Sequence, residues 1–88
     1  MKWTVLYRPS AQNQLANIWL STPDQQLVAD AADEIDRLLA SNPMDVGESR
    51  GGNTRIIIER PLTVLYDVYP DDALVEVFAV FYWRRRKR

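Results

Sequence analysis

The chain has 88 residues, enough for a single domain spanning 1–88 and too few for a second. Its 47% hydrophobic and 26% charged composition is that of an ordinary globular protein, and no apolar run approaches the ~20 residues of a membrane helix. Net charge is only −1, and both cysteine and histidine are absent, which excludes disulfides, thiolate or imidazole metal ligands and any nucleophile that relies on a histidine base.

Residues 2–8 alternate, with Trp3, Val5 and Tyr7 set against Lys2, Thr4, Leu6 and Arg8, and this predicts a strand ended by Pro9. Ser10 is the expected N-cap of a helix over about 11–20, in which Ala11, Leu15, Ile18 and Trp19 share one stripe. A second helix is expected to start with Thr22 as cap, Pro23 at the first position and Gln25 closing a capping box. Its stripe runs through Leu27, Val28, Ala31, Ala32, Ile35, Leu38 and Leu39 to about Ala40 or Ser41, with Asp33 and Arg37 paired on the solvent side. Asn42 and Pro43 stop it, and a glycine-bearing loop covers 42–53.

Two strands follow, Thr54 to Arg60 and Leu62 to Tyr69, separated by Pro61. Alternation predicts Ile56, Ile58, Val64, Tyr66 and Val68 on the core side, and Arg55, Ile57, Glu59, Leu65, Asp67 and Tyr69 on the other. Pro70, Asp71 and Asp72 form a turn, and a last strand runs from about Leu74 to Trp83, with Glu76, Phe78, Val80 and Tyr82 expected on the open side. The order β-α-α-β-β-β predicts an α+β two-layer sandwich, with a helical hairpin on one face of a mostly antiparallel sheet and the other face open. Ile57, Leu65, Phe78 and Val80 would then form an exposed apolar patch for a protein partner.

Charge is unevenly divided along the chain. Residues 1–49 carry a net −4 and residues 50–88 a net +3, which points to an anionic partner for the second half. Five of the basic groups there are Arg84, Arg85, Arg86, Lys87 and Arg88 at the end. The N-terminus lacks the apolar run of a secretory signal, so a cytoplasmic location is expected, with no membrane partner.

Taken in order, several of these features resemble the RelE/ParE toxins of bacterial type II toxin–antitoxin systems, the plasmid stabilisation family. The features are Arg8-Pro9-Ser10; Ala11, Leu15 and Ile18; Ile35-Asp-Arg-Leu-Leu; Asn42-Pro43; Gly47; Arg50-Gly51; Arg55-Ile56; Leu62-Thr-Val-Leu-Tyr-Asp-Val; and Val75-Glu-Val-Phe-Ala-Val with its basic end. The resemblance implies a RelE-like fold, a growth-inhibiting toxin and a cognate antitoxin that wraps around it. RelE-like members cleave messenger RNA on the ribosome without a metal, using basic residues and a tyrosine. ParE-like members lack that set and act against DNA gyrase. The nuclease pattern is incomplete here: Ile57 and Thr63 stand where basic residues are common, and the longer tail that can bring a catalytic tyrosine is missing. The expectation is therefore a ParE-like toxin that inhibits by binding, with a ribosome-dependent endoribonuclease and a degenerate, non-toxic binding module of the same fold as the alternatives.

The candidates that remain are few. Arg55 and Arg84 could stabilise a phosphorane and Tyr82 could activate the 2′-hydroxyl, with Tyr69 the other available tyrosine. Arg50, Arg55, Arg84, Arg85, Arg86 and Tyr69 are the candidate contacts to a nucleic acid or protein target. Ile57, Leu65, Phe78 and Val80 are the candidate partner surface. Neither a cofactor nor a metal is expected, and the sequence leaves the oligomeric state open.

Overall fold

The computed structural model describes residues 2–82. Strand β1 spans Thr4–Tyr7, helix α1 Pro9–Ser21 and helix α2 Gln25–Ser41. The short strand β2 (Glu48–Ser49) precedes the hairpin of β3 (Thr54–Glu59) and β4 (Leu62–Tyr69), and a single 3-10 turn at Pro70–Asp72 leads into β5 (Leu74–Tyr82). The five strands form one sheet in the order β1-β5-β4-β3-β2. Strands β1 and β5 run parallel, and the β2–β3, β3–β4 and β4–β5 pairs are antiparallel. Both helices cover one face, which is the α+β sandwich expected from the element order.

Helix α2 carries the clearer amphipathic stripe, and Val28, Ala31, Ile35 and Leu39 are buried along it. They meet Leu62, Val64, Tyr66 and Val68, the inward positions of β4, together with Val75, Val77 and Val80 of β5. Burial of a side chain of this size contributes roughly 1.5–3 kcal/mol, so this layer is the main source of stability. The helix starts differ from the expected ones. Helix α1 begins at Pro9 with no side-chain cap, so Ser10 lies inside it. For α2 the cap is Asp24, whose Oδ1 accepts from the Leu27 amide at 3.1 Å, while Thr22 Oγ1 accepts from the Asp24 amide at 3.3 Å. Gln25 turns away and donates to the Trp19 carbonyl. Arg37 pairs with Glu34 rather than Asp33, one turn back on the same side.

The two faces of the hairpin also need correcting. On β3 it is Ile57 that is buried, at 4% exposure, while Ile58 is 60% exposed. The register explains this: Arg55 lies opposite Tyr66 and Ile57 opposite Val64, so both residues share the helix-covered face with the core positions of β4. On β5 the pairing jumps between Leu65–Ala79 and Tyr66–Val77, which leaves Phe78 as the extra residue of a bulge. Before the bulge Val75 and Val77 point inward. After it Val80 and Tyr82 point inward, opposite Val64 and Leu62, and Ala79 and Phe81 point outward. Val80 is therefore core, at 2% exposure, and neither it nor Ile57 belongs to a surface patch.

Strand β1 ends at Tyr7, so among the described residues β5 has no neighbouring strand on that side beyond Val77. The Val80 amide there is satisfied by the side chain of Gln14 on α1, whose Oε1 accepts it at 2.8 Å. Substituting Gln14→Leu should leave this part-buried donor unpaired and cost ~1–2 kcal/mol, a fall of several degrees in Tm for a domain of this size. Thermal unfolding of that variant beside Asn13→Ala, its exposed neighbour on α1, checks this: only the Gln14 variant should lose stability.

Candidate interaction surfaces

Arg55, the residue most expected to act on phosphate, faces the helix layer. Its Nε and Nη2 donate to the Val46 carbonyl at 3.3 and 3.2 Å, and Nη2 also donates to the Gly47 carbonyl at 3.3 Å. The Tyr66 hydroxyl lies 3.0 Å from both the Pro43 and the Val46 carbonyls, so the two side chains together staple the 43–47 loop to the sheet. Gly47 completes the arrangement. It sits at φ +69, and a Cβ there would lie 2.3 Å from the Ile56 carbonyl oxygen, so only glycine fits. Burial raises the Tyr66 pKa, against the opposing pull of the Arg55 guanidinium.

Tyr82 is on the same helix-covered side but at the far end of the sheet. Its hydroxyl accepts a long hydrogen bond of 3.5 Å from Thr22 Oγ1, beside a cleft formed by Ile18, Ser21 and Pro23. Four residues along the strands and two strands across separate it from Arg55, on the order of 17 Å by sheet geometry. The structure does not bring this pair to one reacting atom. Arg50 is exposed and lies 3.4 Å from Glu48. Tyr69 is half-buried on the open face, opposite Leu74. Arg84, Arg85 and Arg86 lie outside the described residues.

The open face divides into two halves. One is polar: Thr54 donates to Asp67 Oδ1 at 2.6 Å, and Asp67 lies opposite Glu76. Arg8 reaches across from the end of β1 to bind Glu76 Oε1 at 3.1 Å, with its guanidinium 6.0 Å above the Phe78 ring. The hydrogen bond to Glu76 holds the Arg8 pKa above its ordinary value. Arg8 is the open-face residue that the reading of the sequence did not single out, although its place in the alternation after Thr4 and Leu6 was signal enough. The other half is apolar: Ile56, Leu65 and Ala79 form one cross-strand row, and Ile58, Thr63 and Phe81 form the next. Of the expected patch, Leu65 and Phe78 do lie on this side and are half-buried.

A second surface lies on the opposite layer. Helices α1 and α2 splay to leave an apolar groove of about 570 Å³, floored by Leu15, Val28 and Ala32 and rimmed by Trp19 and Leu20. Trp19 is thus not a core residue; it is 42% exposed, and Leu20 is 70% exposed. One end of the groove is closed by Tyr7, whose hydroxyl donates to Asp36 Oδ1 at 2.6 Å. Burial, and then this carboxylate, raise the Tyr7 pKa strongly.

No protein-family model and no curated protein sequence matches the chain. Its fold does match solved structures. A chain of the toxin–antitoxin complex RelBE2 from Mycobacterium tuberculosis superposes with a TM-score of 0.77 at 18% identity, covering 93% of this chain and 92% of that one. The chromosomal ParDE toxin–antitoxin system of P. aeruginosa gives 0.71 at 14% identity, over 94% and 98%. The isolated E. coli RelE toxin gives 0.69 at 16% identity, over 97% and 88%. The protein therefore has the fold of the RelE/ParE-like toxins.

Two outcomes follow for stability. Arg55→Ala should cost ~1–3 kcal/mol, because the Gly47 carbonyl and one side of the Val46 carbonyl lose a charged donor; denaturant unfolding reads this directly, and an unchanged midpoint refutes the staple. The two raised tyrosines give an alkaline dependence. Above pH ~10 the unfolded chain releases these protons first, so stability is complete below that pH and falls as pH rises, by up to ~1.4 kcal/mol per pH unit for each tyrosine. Tyr7→Phe should make that fall shallower in urea unfolding between about pH 10 and 11.

Proposed function

We propose that the chain is the toxin component of a toxin–antitoxin pair, inhibiting growth by binding an essential target, with DNA gyrase, the target of ParE-like toxins, the leading candidate. A cognate antitoxin neutralises it by seating an apolar segment in the groove between α1 and α2. The fold supports the toxin class, since the superposing chains come from structures described as toxin–antitoxin complexes. One of these holds RelE with an antitoxin peptide. The groove supports the mode of neutralisation: its rim exposes Trp19 and Leu20, and an apolar groove of this kind is what the apolar face of an amphipathic partner helix lies in.

The observation that favours binding over RNA cleavage is the charge of the open face. There Asp67 and Glu76 stand beside Arg8, whose guanidinium is already paired, and Arg55 is turned to the opposite layer. A phosphorane needs uncommitted cations, and carboxylates in its place repel it. The ribosome-dependent endoribonuclease reading, with Arg55, Arg84 and Tyr82 acting on messenger RNA, would need Arg55 to leave the loop it holds.

Induction of this chain alone in bacteria tests the proposal. Labelled amino-acid incorporation should continue through the first minutes while viability falls later, and the purified chain should inhibit gyrase supercoiling. A rapid collapse of incorporation with cleaved ribosome-bound messages would replace this reading by the nuclease one. Growth unaffected by the induced, folded chain would remove the toxin reading altogether.

A further inference from the structure

The groove between α1 and α2 is apolar along its floor and acidic along one rim. Helix α1 carries no charged side chain from Pro9 to Ser21. Helix α2 carries Asp30, Asp33, Glu34 and Asp36 against one cation, Arg37, and Glu34 already holds that arginine. Two of the carboxylates belong to the groove. Asp36 closes one end, and Asp33 follows the lining residue Ala29 by four positions and precedes Asp36 by three, so the three stand in one row along α2. Neither Asp33 nor Asp36 has an ion-pair partner among the described residues. Lys2 and Arg37 border a separate cleft that shares Asp36, and neither pairs with it.

Asp36 is also fixed in place. The Tyr7 hydroxyl donates to its Oδ1 at 2.6 Å, which holds the exposed carboxylate over the end of the groove and leaves Oδ2 open to a second donor. A cation arriving there meets an acceptor that is already immobilised. The helices set the length of what fits. Val28 and Asp36, the outermost lining residues on α2, are eight positions apart, about 12 Å of helix. That is a little over two turns, room for apolar side chains at i, i+3 or i+4, and i+7 of a helix laid along the floor.

We propose that the occupant of the groove is a basic amphipathic helix of a protein partner. Its apolar stripe lies on Leu15, Val28 and Ala32, one lysine or arginine binds Asp36, and further basic residues follow the Asp33 side. This deepens the reading of the groove as the antitoxin's seat and rests on it: the neutralising segment is cationic along one flank of its apolar stripe. The same charges count against other occupants. A second copy docked groove to groove would set two acidic rims against each other, and a nucleic acid, an anionic lipid surface or an acidic segment is repelled by the one rim present.

A displayed library of helical peptides of about 16 residues, selected on the purified full chain, tests this. Leucine is fixed along one stripe, and the positions flanking it are free to be lysine, glutamine or glutamate. The selected peptides should carry lysine on one flank, and exchanging those lysines for glutamate should weaken binding roughly tenfold or more. Binding should also weaken as salt is raised. Asp36→Asn keeps an acceptor for Tyr7 and removes only the charge, and it should weaken the lysine peptides about threefold to fivefold. Asp71→Asn, the same change of charge in the turn after β4, should leave them unaffected. Leu20→Asp, at an exposed position on the rim, should abolish binding while the circular dichroism stays unchanged. Selected peptides that are acidic or neutral overturn the proposal, as does an affinity that Asp36→Asn leaves unchanged or the absence of any peptide sensitive to Leu20→Asp. The selection does not depend on toxicity. A basic helix bound in the groove of a chain that leaves growth unaffected upholds this inference and removes the toxin reading; a toxic chain whose groove selects no basic helix does the reverse.

Discussion

One unpaired residue in β5, Phe78, sets the contents of both faces of the sheet. A strand presents alternate residues to alternate sides, so a single insertion exchanges the sides for everything downstream. Upstream of Phe78 the inward positions are Val75 and Val77; downstream they are Val80 and Tyr82. Without the bulge, Ala79 and Phe81 would face the helices and Val80 would face solvent. With it, a valine of the right size closes the core against Val64, and the larger Phe81 is left outside. The extra residue also widens the local twist next to the end of β1, where Arg8 crosses β5 to reach Glu76 and lies over the Phe78 ring. Gln14 makes the arrangement tolerable by supplying the acceptor that a longer β1 would have provided for Val80.

The second organising contact is the staple formed by Tyr66, Arg55 and Gly47. A loop leaving a helix C-terminus carries carbonyls with no intrahelical partner, and packing it against a sheet requires donors from elsewhere. The Tyr66 hydroxyl and the Arg55 guanidinium are those donors, and among the described residues no buried side-chain polar atom is left unsatisfied. This use of Arg55 carries a functional consequence. A guanidinium that satisfies two carbonyls inside the protein cannot also present its fork to a phosphate on the opposite face of the sheet.

The element order, the helix stripes and the alternation of β4 were legible in the sequence because each rests on a contrast between apolar and polar positions. The faces of β3 were not. Ile56, Ile57 and Ile58 offer three equal candidates for the core, so the parity had to be taken from the flanking Arg55 and Glu59, and charges normally mark the solvent side. Here both flanking residues sit on the helix-covered side, Arg55 because the loop carbonyls lie there. The bulge at Phe78 was invisible for a related reason: nine strand residues that are nearly all apolar carry no phase information. The start of α2 holds both Thr22 and Asp24, either of which can cap, and only the path of the turn selects Asp24. The candidate sites inherited these errors, since Arg55, Tyr82, Ile57 and Val80 were all assigned to the wrong face.

The two surfaces that remain lie on opposite layers, with the sheet and the helices between them. A partner held in the groove touches Trp19 and Leu20 without approaching Ile58 or Phe81, so the two surfaces can be occupied independently. A partner confined to the groove therefore cannot cover the open face; to reach that face it would have to extend around an edge of the sheet. The two edges offer different routes. On the β2 side the edge is only two residues long and both are exposed, which gives a passing chain little ladder to join. On the β1 side the strand is four residues long and adjoins the groove through Tyr7, so a segment leaving the groove meets unpaired backbone at once. The geometry thus makes β1 the edge by which a partner seated on the helices can reach the other face.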